Sequence, residues 1–336
     1  MLSSETAPQH TISVVIPVYN SAAIMPDLIQ RLSDTLPSIA TEFEVILVND
    51  GSRDNSWSAA ETAAASYPFV RAINLMRNYG QHNALLCGIR AARYEIIITM
   101  DDDLQHPPEE LPKLIAKLDE GFDVVYGIPQ AEQHGLWRDV ASQVTKMVLQ
   151  NAMSVEVATN ISALRVFRAL LREGFANYSS PYVNIDVLLT WTSTRFSNIK
   201  VRHDVRQSGV SNYTFLKLVT HALNMMTGYS TKPLQLASVI GFVFTLVGLG
   251  ILLFVIGRYV ITGSSVPGFP FLASIIAIFS GAQLFALGII GEYLARMHFR
   301  TMDRPTYAVR ADSESSNVAL SRKGSLDEEA LAKYGS

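Results

Sequence analysis

The sequence predicts an α/β domain with a mainly parallel sheet, followed by an interfacial helix and a two-helix transmembrane hairpin. Three observations predict it. In the N-terminal part, short apolar β-branched runs alternate with segments of helical character, the pattern of a parallel sheet with crossover helices. Further on, 25 residues from Pro233 to Gly257 and 33 from Tyr259 to Gly291 carry no charge, whereas about 20 apolar residues are enough to span a bilayer. The run Ile96-Ile97-Ile98-Thr99-Met100 ends abruptly on Asp101-Asp102-Asp103. Ligands of open α/β sheets sit at such strand ends.

Taken in order, residues 1–10 are polar, and Ile12 to Tyr19 reads as a first strand with Asn20-Ser21 capping a helix to about Leu36. Phe43 to Val48 is a second strand ending in Asn49-Asp50-Gly51-Ser52, after which Asp54 or Asn55 opens an alanine-rich helix. Val70 to Leu75 is a third strand and Gly80 to Ala92 a helix. The Ile96 run is the fourth strand. A helix from Glu109 to Leu118 and a fifth strand from Asp123 to Tyr126 follow, with right-handed crossovers expected. Helices are predicted over Leu136–Met153, Arg165–Glu173 and Val183–Trp191, and an edge strand over Asn198–Arg206, where apolar and polar residues alternate. The α/β domain thus occupies 11–212, and 213–230 forms an amphipathic juxtamembrane helix with the apolar residues of Phe215 to Met226 largely on one face. The membrane segment is 231–296, with spans at about 234–256 and 271–291 joined by a tight turn through Thr262–Gly268, and 297–336 is a tail expected to be disordered after about 311.

Bulk properties narrow the class. Apolar residues make up 49% of the 336 and charged ones only 17%, and mean hydropathy is positive. A net charge of −3 argues against nucleic acid as a partner. Cys87 is the only cysteine, so no intrachain disulfide forms, in keeping with a reducing compartment. Met1–His10 has no basic segment, and the apolar run after it is short and contains Pro17, so no signal peptide is expected. Lys217 and Lys232 precede the first span and Arg296, Arg300, Arg304 and Arg310 follow the second, with only Arg258 near the turn. The positive-inside rule therefore puts both termini and the α/β domain in the cytoplasm, on a cytoplasmic (inner) membrane.

Three adjacent carboxylates repel one another, so a fold that gathers them implies a cation. Val15-Ile16-Pro17-Val18-Tyr19-Asn20, Val48-Asn49-Asp50-Gly51-Ser52-Arg53-Asp54, Arg77-Asn78-Tyr79-Gly80 and the acidic cluster, in this order, resemble the GT-A-type family 2 glycosyltransferases. Gly291-Glu292-Tyr293-Leu294-Ala295-Arg296 and Arg304-Pro305-Thr306-Tyr307 resemble the ending of the polyprenyl-phosphate group of that family.

The resemblance implies a GT-A nucleotide-sugar-binding domain and an inverting, metal-dependent transfer of a sugar from a nucleotide diphosphate sugar to a membrane polyprenyl phosphate. It assigns Asp101, Asp103 and Gln105 to Mg²⁺ or Mn²⁺, with Asp103 also catalytic, and Pro17, Tyr19, Asn20, Asp50, Ser52 and Asp102 to the nucleotide sugar. The amides at the start of the helix after Arg77–Gly80 are candidates for phosphate charge. Arg138, Arg165 and Arg206 are candidate cations for the lipid phosphate, and Asp186 is either catalytic or buried. The chain departs from the pattern at Asn49, where the family has an acid, and at Asn212, where it has a lysine. Gly241, Gly248 and Gly250 offer small faces for a homo-oligomer. Two alternatives are a processive polysaccharide synthase, disfavoured by two spans and no Q-x-x-R-W motif, and a non-catalytic scaffold, disfavoured by the intact acids.

Overall fold

A computed structural model describes residues 10–130, 161–180, 182–204, 231–263, 268–302 and 304–314. They fall into two compact units, one holding the sheet and its helices together with the residues after 304, the other holding two long C-terminal helices.

The sheet has eight strands: β1 (His10–Val18), β2 (Ala40–Asn49), β3 (Val70–Leu75), β4 (Ile96–Thr99), β5 (Val124–Pro129), β6 (Arg165–Arg168), β7 (Phe196–Val201) and β8 (Val309–Asp312), in the order β7-β5-β6-β4-β1-β2-β3-β8. β1, β2, β3 and β4 pair in parallel, β5 pairs in parallel with β7, and only β6 and β8 run antiparallel to their neighbours. Ile12 to Val18 is buried without interruption, as expected for a strand covered on both faces. On one face Ile12, Val14, Ile16 and Val18 join Val45, Leu47, Ile96 and Ile98 in a core with helices α1 (Met25–Thr35), α2 (Ser56–Ser66) and α4 (Leu111–Asp119). Helix α3 (Gln81–Ala91) covers the other face, and it approaches closely because Gly88 has no side chain: a Cβ there would lie 2.3 Å from Val15 Cγ1 and 3.1 Å from Val48 Cγ2.

Three expectations are corrected. Arg165–Glu173 is not a helix: Arg165–Arg168 is strand β6, wedged antiparallel between β4 and β5, and Ala169–Phe175 is a 3₁₀ stretch. Val166 and Phe167 are fully buried there, so sheet pairing overrides the local helical pattern. The chain is not disordered immediately after 311, because Val309–Asp312 pairs with β3 and Ser313 and Glu314 also contact the sheet domain. The helix expected from Glu109 begins as a 3₁₀ turn at Pro108–Glu110. The expected helices over Leu136–Met153 and 213–230 lie outside the described residues. Ile185–Thr190 forms the short helix α5, capped by the Asn184 side chain, and the expected edge strand is β7, at Phe196–Val201 rather than from Asn198 to Arg206.

The second unit contains α6 (Lys232–Thr262) and α7 (Phe269–Thr301), both long and apolar enough to cross a membrane. They form a candidate transmembrane hairpin. Phe244 meets Phe279 edge-on at 5.5 Å, and Gly248 admits the Phe279 ring. Gly263, at φ 65°, ends α6 in a left-handed cap.

Gly88→Ala is expected to overpack the α3–sheet contact at a cost of about 1–3 kcal/mol, read as a lower thermal unfolding midpoint of the detergent-solubilised chain.

Candidate active site

The C-terminal ends of β1, β2, β3 and β4 carry four loops that a closed ring of hydrogen bonds joins. From the β4 loop, the Asp102 carboxylate accepts from the Tyr19 N–H (3.2 Å) and the Ser21 hydroxyl (2.5 Å) of the β1 loop. From the β1 loop, the Asn20 N–H donates to Ser52 Oγ, while Asn20 Oδ1 accepts from the Arg53 N–H. From the β2 loop, Asp50 accepts from the N–H groups of Tyr79 (2.7 Å) and Gly80 (2.8 Å) in the β3–α3 loop. Gln81, the first residue of α3, closes the ring by donating to Asp101 Oδ1. Asn20 sits at φ 55° and Gly51 at φ 64°. Asparagine tolerates that region, and glycine is required at 51, where a Cβ would fall 2.4 Å from the Asn78 nitrogen.

The acidic turn leaves the sheet at Met100, whose N–H bonds Val15 O. Asp103 is buried and accepts from the Gln105 N–H at 3.1 Å. Leu104 lies at φ 57°, strained for a residue with no local hydrogen bond to offer; such strain concentrates at functional sites. From behind, the Asp204 N–H donates to Gln105 O, and the His203 ring packs 5.0 Å from that of His106. Burial pushes the His106 imidazole down to about 4, with His203 adding to the shift. Burial also raises the Asp102 carboxyl, against the pull of Ser21 and Tyr19 and with help from neighbouring Asp103. Burial raises Asp50 too, against the Tyr79 and Gly80 amides. Among the described residues, no three carboxylate, imidazole or thiol groups converge on one point. An ion at Asp101 and Asp103 would therefore complete its oxygen shell with Gln105, phosphate oxygens and water, a donor set that suits Mg²⁺ or Mn²⁺.

The structure brings Tyr19, Asn20, Asp50, Ser52, Asp101, Asp102, Asp103 and Gln105 to one rim, with Tyr19 and Asn20 exposed. Pro17 is buried in β1, and its nitrogen faces the side from which β4 has already departed, so no ladder bond is lost. Two readings change. Of the amides around the start of α3, the candidates for phosphate charge, that of Gly80 already serves Asp50, as does that of Tyr79 just before it. Arg165 is not a free cation for a lipid phosphate. Its guanidinium is buried and pairs with Asp186 at 2.6 Å, and Tyr126 donates to the same carboxylate oxygen at 3.0 Å. Asp186 is accordingly buried and paired. Arg138 and Arg206 lie outside the described residues. Asn49 donates to Asn74 within the sheet, both side chains being buried. Ser21, Ser56 and Gln81 escaped sequence reasoning. Ser21 N–H bonds Ser56 Oγ, and only the helix-start positions of Gln81 and Ser56 hinted at a role.

Residues 13–175 match the family described as Glycosyl transferase family 2. Over 306 residues, covering 90% of this chain and 94% of the other, the chain is 34% identical to an undecaprenyl-phosphate 4-deoxy-4-formamido-L-arabinose transferase of Klebsiella pneumoniae. A protein of the same description from Shewanella sediminis is 36% identical over 302 residues, 89% of this chain and 91% of that one. Among solved structures, glucosyl-3-phosphoglycerate synthase from Mycobacterium tuberculosis, in complex with Mn²⁺, UDP-glucose and phosphoglyceric acid, superposes with a TM-score of 0.50 at 17% identity, covering 66% of this chain and 80% of that one. That likeness is one of fold. The chain belongs to glycosyl transferase family 2, in its polyprenyl-phosphate glycosyltransferase group.

Gly51→Ala is expected to force the Arg77–Gly80 loop away from Asp50, at about 1–3 kcal/mol for the backbone strain alone. Thermal unfolding together with limited proteolysis at that loop would register the change.

Proposed function

We propose that the crevice moves a sugar from a nucleotide diphosphate sugar to the phosphate of a membrane polyprenol, undecaprenyl phosphate or a similar lipid. The product would be a lipid-linked sugar donor for envelope modification. One observation carries this reading: a chain with two membrane-length apolar helices holds three acids at a strand end, within a rim of hydrogen-bonded loops. Its similarity to undecaprenyl-phosphate sugar transferases runs through nine-tenths of its length.

In this reading Asp101, Asp103 and Gln105 hold Mg²⁺ or Mn²⁺, which when bound neutralises the diphosphate of the leaving nucleotide. The M. tuberculosis fold relative was solved with Mn²⁺ and UDP-glucose, consistent with a divalent ion here. The β1 and β2 loops, through Tyr19, Asn20 and Ser52, form the nucleotide side of the rim. Asp102 contributes by fixing the Tyr19 and Ser21 loop. Asp50 contributes by holding the Tyr79 and Gly80 amides.

An oxygen of the acceptor phosphate attacks the anomeric carbon from the face opposite the diphosphate. A new carbon–oxygen bond forms as the old one breaks, and its electron pair departs on the nucleoside diphosphate, so the configuration inverts. A phosphate monoester with a second pKa near about 6 is anionic at neutral pH and needs no strong general base. Arg206 and Arg138 supply cations for that phosphate, whereas Arg165 stays buried in its pair with Asp186. The charge asymmetry around the apolar helices supports a cytoplasmic active site with both termini on the same side. Gly241 and Gly250, where an added Cβ would meet no side chain within 4 Å, leave small faces on α6 for packing of a second copy in the membrane.

Membranes carrying the chain, supplied with labelled nucleotide sugars and undecaprenyl phosphate, should yield a single-sugar lipid. EDTA should abolish the product and Mg²⁺ or Mn²⁺ restore it. Asp103→Ala is expected to lose at least about 10²-fold in transfer while inserting normally into the membrane; full activity in that variant would remove the metal role. A polymeric product would point to a synthase instead.

A further inference from the structure

The segment after the second apolar helix takes no part in the chemistry above, yet it is built into the sheet. β8 runs antiparallel along β3, with Leu75 opposite Val309, Asn74 opposite Ala311 and Ile73 opposite Asp312. Arg71 of β3 grips Asp312 with two guanidinium nitrogens at 3.1 and 2.7 Å and Glu314 with the third at 2.7 Å. The Met76 N–H donates to Ala308 O at 2.9 Å, and the Ala72 N–H to Ser313 Oγ at 3.0 Å. Thr306 is buried. The Tyr307 hydroxyl lies against the Cys87 thiol, and its ring packs under the Arg90 guanidinium at 5.8 Å.

These contacts are not spread evenly over the domain. Leu75 and Met76 immediately precede the Arg77-Asn78-Tyr79-Gly80 loop, and Cys87 and Arg90 lie on α3, the helix that the loop enters. Residues 306–312 therefore hold the strand on one side of the loop and the helix on the other. The loop is the part of the rim whose amides bind Asp50 and whose next residue, Gln81, binds Asp101. Asn74, also paired to β8, supports Asn49 beside Asp50. A surface tail with no work to do would not require a charged clamp at Arg71 and a buried threonine as well.

We infer that residues 304–314 are a positioning strap for the donor site, setting the Arg77–Gly80 loop and the start of α3 in the geometry that receives the nucleotide diphosphate. The inference rests on the donor reading given under Proposed function. Arg71 and Tyr307 are positioning residues in it, acting through the loop. The strap follows α7 in the chain and backs the rim through β3 and α3 without entering it.

Cys87 offers a built-in reporter. It is the only cysteine, it is buried, and burial pushes its thiol up to about 12. A docked strap should make it nearly inert to iodoacetamide, and an undocked one should expose it. The test uses the detergent-solubilised full chain, a chain ending at Asp303, Arg71→Glu, and Arg71→Glu combined with Asp312→Arg. Two readouts are taken: the rate of Cys87 alkylation, and binding of UDP, GDP and TDP with Mn²⁺ by calorimetry.

We expect the shortened chain and Arg71→Glu to alkylate faster and to bind the preferred nucleotide about tenfold more weakly or worse, the scale of loss that small misplacements cause. The charge-reversed pair should recover much of both. Faster alkylation with unchanged nucleotide affinity would overturn the inference while leaving the donor reading intact. Unchanged alkylation in both variants would show that the strap is not held by these contacts and would overturn it as well. If the unaltered chain binds none of the three nucleotides, the donor reading itself fails and the inference falls with it. Should the shortened chain fail to fold, Arg71→Glu and its reversed partner decide the matter alone.

Discussion

The carboxylates of Asp50 and Asp102 hold the crevice together. Each lies at the end of a central strand, each is drawn out of water, and each spends its oxygens on donors from a neighbouring loop. Burying a carboxylate is costly unless it is hydrogen-bonded, and here the cost is offset by bonds that also order the loops. Asp102 ties the β1 loop to the β4 turn, and Asp50 ties the β3–α3 loop to the end of β2. The acids that an ion would use, Asp101 and Asp103, are thus held in a frame that other acids maintain. Because the frame is made of short polar contacts between loops, it depends on strand ends arriving in register, which the parallel pairing of β1 with β2 and β4 provides.

Much of this was legible in the sequence, for a physical reason. Val14–Val18 of β1, Val45–Val48 of β2 and Ile96–Ile98 of β4 are continuous apolar runs because both faces are covered, and each gives way to polar residues where the strand ends. The acidic turn announced itself through unfavourable proximity of like charges. What stayed hidden depended on partners distant in the chain. The role of Asp102 in tying loops together stayed hidden because Tyr19 and Ser21 are more than eighty residues away. Arg165 looked available because nothing local reveals its pairing with Asp186. β6 is only four residues bounded by arginines, and its strand conformation comes from fitting between β4 and β5. β8, Val-Arg-Ala-Asp, has little strand character of its own and is a strand because β3 presents an edge.

The departures from the family pattern also acquire physical content. Asn49, in place of an acid, belongs to a buried amide pair with Asn74, so that position is sheet floor rather than open crevice. Placing a carboxylate there would require Asn74 to turn its amide and donate. Glu44 behaves similarly beneath α3: fully buried, it is satisfied by the Ser13 hydroxyl and by Arg93. Each of these buried side chains makes at least one hydrogen bond, the usual condition for keeping a polar group in a core.

The return of the chain to β3 has a consequence for how the protein is made. Arg71 and Asp312 are 241 residues apart, and at about 5–20 residues per second the ribosome needs roughly 10–50 s to pass from one to the other. During that interval both apolar helices are synthesised while β3 stands as an open sheet edge, the kind of surface that recruits foreign strands. Among the described residues, the last strand to be synthesised is the one that closes it. Synthesis and completion of the sheet are therefore ordered in time by topology, and a chain cut short after the second apolar helix would leave the β3 edge bare.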